Sequence, residues 1–257
     1  MKTADQHPFV RSFRRLPEVA STNDLARHLL ESDHPPLPLL IWADRQSRGR
    51  GQRSNQWWSD GGSLTVSLIL DPESYGLSAS QETRVALMVA ALVVQVIREL
   101  YPRCRAGVRW PNDIEVEGRK LGGILPERVE TQLGPRLVIG IGLNVRTRLE
   151  EAPTEIRRMA ATLAEWEETP SSVDPIDSIL CRFLDQLPGG LNELLFQNDR
   201  LERRWNELDT LAGRVVRVEV GSETLEGIAS GINFSGGLRL LRAGESQTIY
   251  AGRVLRH

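Results

Sequence analysis

The stretch 108–125, VRWPNDIEVEGRKLGGIL, restricts the fold of this chain more tightly than any other. Pro111 fixes its own φ and pushes Trp110 toward an extended conformation, so the stretch does not read as helix at this point. Ile114-Glu115-Val116 alternates apolar and polar like a strand, Glu117-Gly118 is an acceptable hairpin turn, and 121–125 resumes the apolar run. A hairpin here returns Lys120 to the side of Asn112 and Asp113. An amide, a carboxylate and an ammonium then converge, and Gly122 and Gly123 leave the backbone open to a ligand. An ordinary hairpin with a solvated Lys-Asp pair fits this segment equally well.

A second stretch, 45–62, shifts the balance. Between Arg45 and Gln56 it has four arginines, two interior glycines and no aliphatic residue, so it cannot pack a core. Arginine forks, glycine-exposed amides and the pair Trp57-Trp58 suit an anionic ligand with a flat ring, held by charge and by stacking. The segment is neither a G-x-x-x-x-G-K-[ST] loop nor a G-x-G-x-x-G fingerprint. A solvated loop with one core tryptophan, or a nucleic-acid contact, are the alternatives. The second is weakened by a single basic cluster in a chain of net charge −2 and pI near 6.2.

The rest of the chain reads as alternating elements. Residues 1–12 look like a loose tail, 14–20 a strand, and Ser21-Thr22-Asn23 the cap of a helix with Leu25, Ala26, Leu29 and Leu30 on its apolar rows. Strands are expected at 39–43, 63–70 and 136–145, the last ending at Asn144, and a long buried helix at 81–101. Helices are further expected at 154–168, at 175–187 with Asp174 as N-cap, and at 191–208 after a break at Gly189-Gly190. From about 209 the pattern becomes short strands separated by glycine turns: 213–220, 223–230, 238–241, 247–251 and 253–255. That is the grammar of a small barrel, marginal alone and so expected to dock on the larger unit. The expected domains are therefore 1–208 and 209–257.

Cys104 and Cys181 have no partner spacing and read as reduced, buried thiols of a cytoplasmic protein; the four histidines form no metal motif. No signal peptide is apparent, and the apolar run 85–94 is too short to span a bilayer.

Together these residues resemble the biotin protein ligase family. The likeness runs in order through Ser21-Thr22-Asn23, Gln46, Gly49-Arg50-Gly51, Trp57, Trp110-Pro111-Asn112-Asp113, Lys120 to Leu125, Gly140 to Asn144 and Trp205. It implies an α+β catalytic domain with a mixed β-sheet and packed helices, plus a C-terminal SH3-like β-barrel. It also implies two half-reactions: biotin and ATP give biotinyl-5′-AMP, then biotin passes to one lysine of a biotin carboxyl carrier domain of acetyl-CoA carboxylase or a related carboxylase. Mg²⁺ would accompany ATP, with no metal site made by the protein alone.

By the same resemblance, Lys120, Arg50 and Asp113 are the catalytic candidates. The two cations would meet charge developing at the α-phosphate, and Asp113 would orient the carrier lysine or accept its proton. Ser21, Thr22, Asn23 and Gln46 would hold the biotin ureido head, while Gly49, Arg50, Gly51, Gln52, Lys120 and Gly123 border its tail. Arg50, Arg53, Trp57, Asn112, Lys120 and Asn144 would bind ATP and the adenylate, with Trp57 against adenine and Asn144 bonded to it. Gln52 stands where many bacterial members carry another arginine, and Arg109 where lysine is usual. Only twenty residues precede Ser21, so a DNA-binding domain and a repressor role are not expected. A lipoate ligase-like activity and a non-catalytic nucleic-acid binder are the rival functions.

Overall fold

In the 63–70 run, SLTVSLIL, one face carries Leu64, Val66, Leu68 and Leu70, the other Ser63, Thr65, Ser67 and Ile69, and all eight residues are buried. A strand covered on both sides belongs inside a sheet. The computed structural model describes residues 3–53, 55–167 and 174–255. In it β1 (Ser12–Val19) leads through α1 (Thr22–Ser32) to β2 (Leu39–Gln46). A short hairpin of β3 (Gly49–Arg50) and β4 (Gln56–Trp57) precedes the interior strand β5 (Ser63–Leu70) and the long helix α2 (Ala79–Leu100). Strands β6 (Gly107–Arg109), β7 (Asp113–Val116), β8 (Arg119–Thr131) and β9 (Gly134–Asn144) follow. Helices α3 (Thr154–Met159), α4 (Pro175–Phe196) and α5 (Asn198–Leu208) lead to β10 (Val215–Val220), β11 (Glu223–Ile232), β12 (Leu238–Arg242), β13 (Glu245–Ile249) and β14 (Arg253–Val254).

The larger sheet has seven strands in the order β1-β2-β5-β9-β8-β7-β6; β1 and β2 pair in parallel through the α1 crossover and the other pairs are antiparallel. Alternation along β2 decides the layers: Leu40 and Trp42 face the α2 and α4 core, Leu39 and Ile41 the smaller core under α1. The fold is thus α+β with a mixed sheet. The C-terminal strands form a five-stranded antiparallel sheet, β13-β12-β11-β10-β14, at the expected places. It shares the main core and is tied to the larger layer by the Trp110 indole N–H to the Gly236 carbonyl (2.9 Å) and by Asn206 bonded to both polar groups of Ile232. Buried Arg84 reaches the Phe234 carbonyl at 3.1 Å.

Three expectations are corrected. Residues 1–12 are not a loose tail in the part described: Ala4 is buried and His7 bonds Asp185 of α4 at 3.0 Å. The helix expected over 154–168 ends at Met159, because Ala160 and Ala161 pair with Lys120 of β8 instead. The Ala161 N–H donates to the Lys120 carbonyl (2.8 Å) and its carbonyl accepts from Asn144, before a short 3₁₀ turn at Leu163–Trp166. Glu168 lies outside the described residues. Finally, no break occurs at Gly189-Gly190; α4 continues to Phe196 and the chain turns at Gln197. Gly190 serves close helix packing, since a methyl there would stand 2.8 Å from Met88 and Leu92 of α2.

Candidate functional site

A cleft of about 480 Å³ opens over the α1 face of the sheet. Its near end is the N-terminus of α1 with Gln46, its cover the β3–β4 hairpin, and its far wall the β7–β8 hairpin with Asn112, Asp113 and Lys120. Residues Gly252 to Leu255 of the smaller sheet complete the rim. Fourteen of the fifteen residues nominated from the sequence line it. Gly49 is the exception: a methyl there would stand 2.4 Å from the Trp57 carbonyl, so its lack of a side chain serves the β3–β4 pairing.

At the near end the polar residues satisfy one another. Ser21 caps α1 by accepting from the Asp24 N–H (3.4 Å), and the Gln46 side-chain carbonyl oxygen accepts from the Thr22 N–H (2.7 Å) and lies 3.1 Å from its hydroxyl. Beneath them Ser67, fully buried on the polar face of β5, lies 2.7 Å from the Thr22 hydroxyl and 2.6 Å from Asn23 Oδ1. Capping and ligand contact were both open readings of Ser21-Thr22-Asn23; capping by Ser21 is observed, and all three residues also face the cleft.

At the far end the tight turn at Glu117-Gly118, both at positive φ, and a register shift between Ile114 and Glu115 bring Lys120 Nζ to 2.6 Å from Asp113 Oδ1. The Lys120–Asp113 part of the convergence read from the hairpin is therefore present, and Asn112 lines the same cleft. Asn112 spends its side-chain N–H on the Ile124 carbonyl (2.7 Å), closing the loop before the strand, and Asn144 Nδ2 donates to the Ala161 carbonyl at 3.0 Å. Both nominated amides thus carry a structural bond as well as a place in the lining.

The cover is held by charge. Arg50 pairs with Asp24 of α1 and, at 2.7 Å, with Glu127 of β8. Burial pulls the Arg50 guanidinium down, but these two carboxylates outweigh it and hold the group above its ordinary value. Gln52 and Arg53 sit in a turn closed by the Asn55 N–H to the Gln52 carbonyl (3.2 Å), with Arg53 at φ +59°. The Trp57 indole lies directly on Gly142, where a methyl would stand 2.6 Å from the ring.

Sequence reading missed Glu127, Asp24 and Ser67, and also the wall made by Leu149, Ile156, Met159 and Ala160. It placed every ATP and biotin contact before Val145, whereas the lining extends to that wall and to the C-terminal rim. One signal was available: the serines and threonine alternating in SLTVSLIL mark a polar face in a fully buried strand. Among the described residues no cluster of three or more His, Cys, Asp or Glu side chains could hold a metal, and no helix is long and apolar enough to cross a membrane.

The sequence model of the Biotin/lipoate A/B protein ligase family matches residues 16–144, and that of the Biotin protein ligase C terminal domain matches residues 212–256. The bifunctional ligase/repressor BirA of Bacillus subtilis is 33% identical over 150 residues; the match takes in 58% of this chain and 45% of that protein, so under half of that relative's length is spanned. The biotin–[acetyl-CoA-carboxylase] ligase of Paracoccus denitrificans is 29% identical over 228 residues, 86% of this chain and 92% of that one. In fold the chain resembles the biotin protein ligase from Aquifex aeolicus in complex with biotin and ATP, with a TM-score of 0.80 and 24% identity over 96% of this chain and 100% of that one. With half of its length matched by the catalytic family and its C-terminal sheet matched separately, the chain belongs to the biotin/lipoate A/B protein ligase family.

Proposed function

We propose that this chain is a biotin–protein ligase that activates biotin with ATP and transfers it to a lysine of a carboxylase carrier domain. One observation carries the reading: a single cleft is lined by the polar residues of the α1 N-terminus, by Arg50 bonded beside them, and by Lys120 on the β7–β8 hairpin. In the first step the biotin carboxylate attacks the α-phosphate of ATP, a P–O bond forms, and pyrophosphate leaves. Two anions meet there, so preplaced positive charge lowers the barrier, typically by several kcal/mol per group. Mg²⁺ enters as part of the nucleotide substrate.

The head-site role of Ser21, Thr22, Asn23 and Gln46 is supported by donors and acceptors already fixed in direction, which cost little to order on binding. Trp57 on Gly142 supplies a flat apolar surface for adenine, and the Ile156 and Met159 wall adds to it. In the second step the carrier lysine attacks the acyl carbon, an amide forms and AMP leaves. Asp113, paired with Lys120 at 2.6 Å, is the base we assign to the amine proton.

The organisation we infer is a catalytic unit over 1–208 and a C-terminal unit over 209–257 whose rim borders the cleft where the carrier would approach. The arginine-rich segment also fits this reading better than a nucleic-acid contact, because it is a single basic cluster in a chain of net charge −2. Incubation with Mg-ATP, biotin and an acetyl-CoA carboxylase carrier domain, followed by intact mass, tests the reading. The expected result is a carrier heavier by one biotinyl group, absent without ATP and absent when lipoate replaces biotin. An unmodified carrier, or one modified by lipoate instead, would refute it.

A further inference from the structure

We propose that Glu127 is a positioning residue for the adenylation step, fixing Arg50 and the biotin head site in one frame. The proposal deepens the ligase reading above and rests on it. Glu127 sits on β8 with its side chain 13% exposed. It accepts from Asn23 Nδ2 at 2.7 Å on one oxygen, and from Arg27 at 2.6 Å and Arg50 at 2.7 Å on the other. A carboxylate with three charge-assisted or amide bonds has its direction fixed, and it fixes its partners in turn.

The bonds continue inward without interruption. Asn23 Nδ2 faces two acceptors, Glu127 and the Leu125 carbonyl, so its Oδ1 must face Ser67. The Ser67 hydroxyl has one proton, given to Asn23 Oδ1; the contact with Thr22 is then donated by Thr22. Gln46 still receives the Thr22 N–H. A relay therefore runs from Gln46 through Thr22, Ser67, Asn23 and Glu127 to Arg50, from one end of the cleft to its cover.

The other partners differ in kind. Asp24 is 49% exposed and Arg27 42% exposed, so water competes for both. Glu127 is the inner anchor. A guanidinium carries five N–H donors, so two carboxylate bonds leave Arg50 able to meet a phosphate, and the anchor removes rotamer freedom before charge develops there. Glu127 itself is not among the residues that line the cleft.

The test is a double-mutant cycle on biotin-dependent pyrophosphate release, using the full chain with wild type, Arg50→Ala, Glu127→Gln and the double variant. Glu127→Gln is expected to lower kcat at saturating substrates by ~10-fold or more, as misplacement of a reacting-site group does. In the Arg50→Ala background the same change should cost kcat less than about twofold, because nothing remains to be positioned. The KM for biotin should rise with Glu127→Gln in both backgrounds, through Asn23. Arg27→Ala, which removes an exposed partner, should stay within about threefold of wild type. Losses that multiply in the double variant would overturn the assignment, as would a Glu127→Gln enzyme with unchanged kcat. If Glu127→Gln does not fold by circular dichroism, the cycle is read with Glu127→Asp, which keeps the charge and loses the reach, by the same criterion. A wild-type chain without biotin-dependent pyrophosphate release would instead defeat the ligase reading.

Discussion

Gly142→Ala is a small change with a calculable consequence. The added methyl would stand 2.6, 2.9 and 3.0 Å from three carbons of the Trp57 indole. Carbon atoms rest about 3.5–4.0 Å apart, so the ring must retreat by roughly 1 Å. Trp57 is half-buried on a two-residue strand, whereas Gly142 is locked in a ladder with Thr65 and Gly123. The ring therefore gives way before the sheet, and an overpacking cost of about 1–3 kcal/mol appears as a displaced indole. Base–aromatic stacking is worth about 1–3 kcal/mol, and about 1.4 kcal/mol is tenfold. The KM for ATP in pyrophosphate release should accordingly rise roughly 5- to 150-fold. Biotin affinity by calorimetry, set at the α1 end, should change less than about threefold. Trp57→Phe should show much of the same selective loss, and adding Gly142→Ala to it should cost little more. An ATP KM equal to wild type, with only a lowered melting temperature, would refute the stacking argument.

Lys120→Ala should keep the fold, since the side chain is partly exposed, yet slow adenylate formation by at least ~100-fold; near-normal pyrophosphate release would remove it from the mechanism. Arg53→Ala tests whether Arg53 compensates for Gln52: escape of biotinyl-5′-AMP in a chase experiment should accelerate by ~10-fold, and Gln52→Arg should reverse most of it. Unchanged retention in Arg53→Ala would end that idea. Asp209 supplies a pH prediction. Burial pushes its carboxyl up to about 6, against a counter-pull from the Leu211 N–H and with Glu115 adding to the rise. The folded state then binds more protons than the unfolded state between about pH 4 and 6, so its contribution to stability falls as pH rises through that window. Asp209→Asn should raise stability at pH 7.5 by ~1–3 kcal/mol and flatten the pH dependence; equal urea midpoints for both proteins at pH 7.5 would refute it.

The sheet strands, α1, α2 and the C-terminal strands were legible because each is written in local periodicity. The break at Gln197 was not: a glycine pair looks like an interruption until the neighbouring helix that needs the space is known. The end of α3 was hidden for a related reason, since Ala161 is drawn away by carbonyl and N–H partners at Lys120 and Asn144. In the site, the hairpin convergence of Lys120 on Asp113 is a short-range event and could be foreseen. Glu127 could not, because its partners Asn23, Arg27 and Arg50 lie 104, 100 and 77 residues away, and a glutamate in the polar outer half of a strand looks solvated.

The junction between the two sheets bears on how the chain can be opened. The segment after α5 is itself a rung: Asp209 bridges Val108 in parallel, and the Thr210 N–H donates to the Val108 carbonyl at 3.0 Å, next to Arg109 and Trp110. A split reporter divided between Leu208 and Asp209 would have to rebuild that rung on every reassembly, beside the loop that carries Asp113. The Ala243-Gly244 hairpin tip, exposed and with both residues at positive φ, carries no comparable burden. Tags, nicks or new termini belong there, where the strands on either side stay paired through their own register.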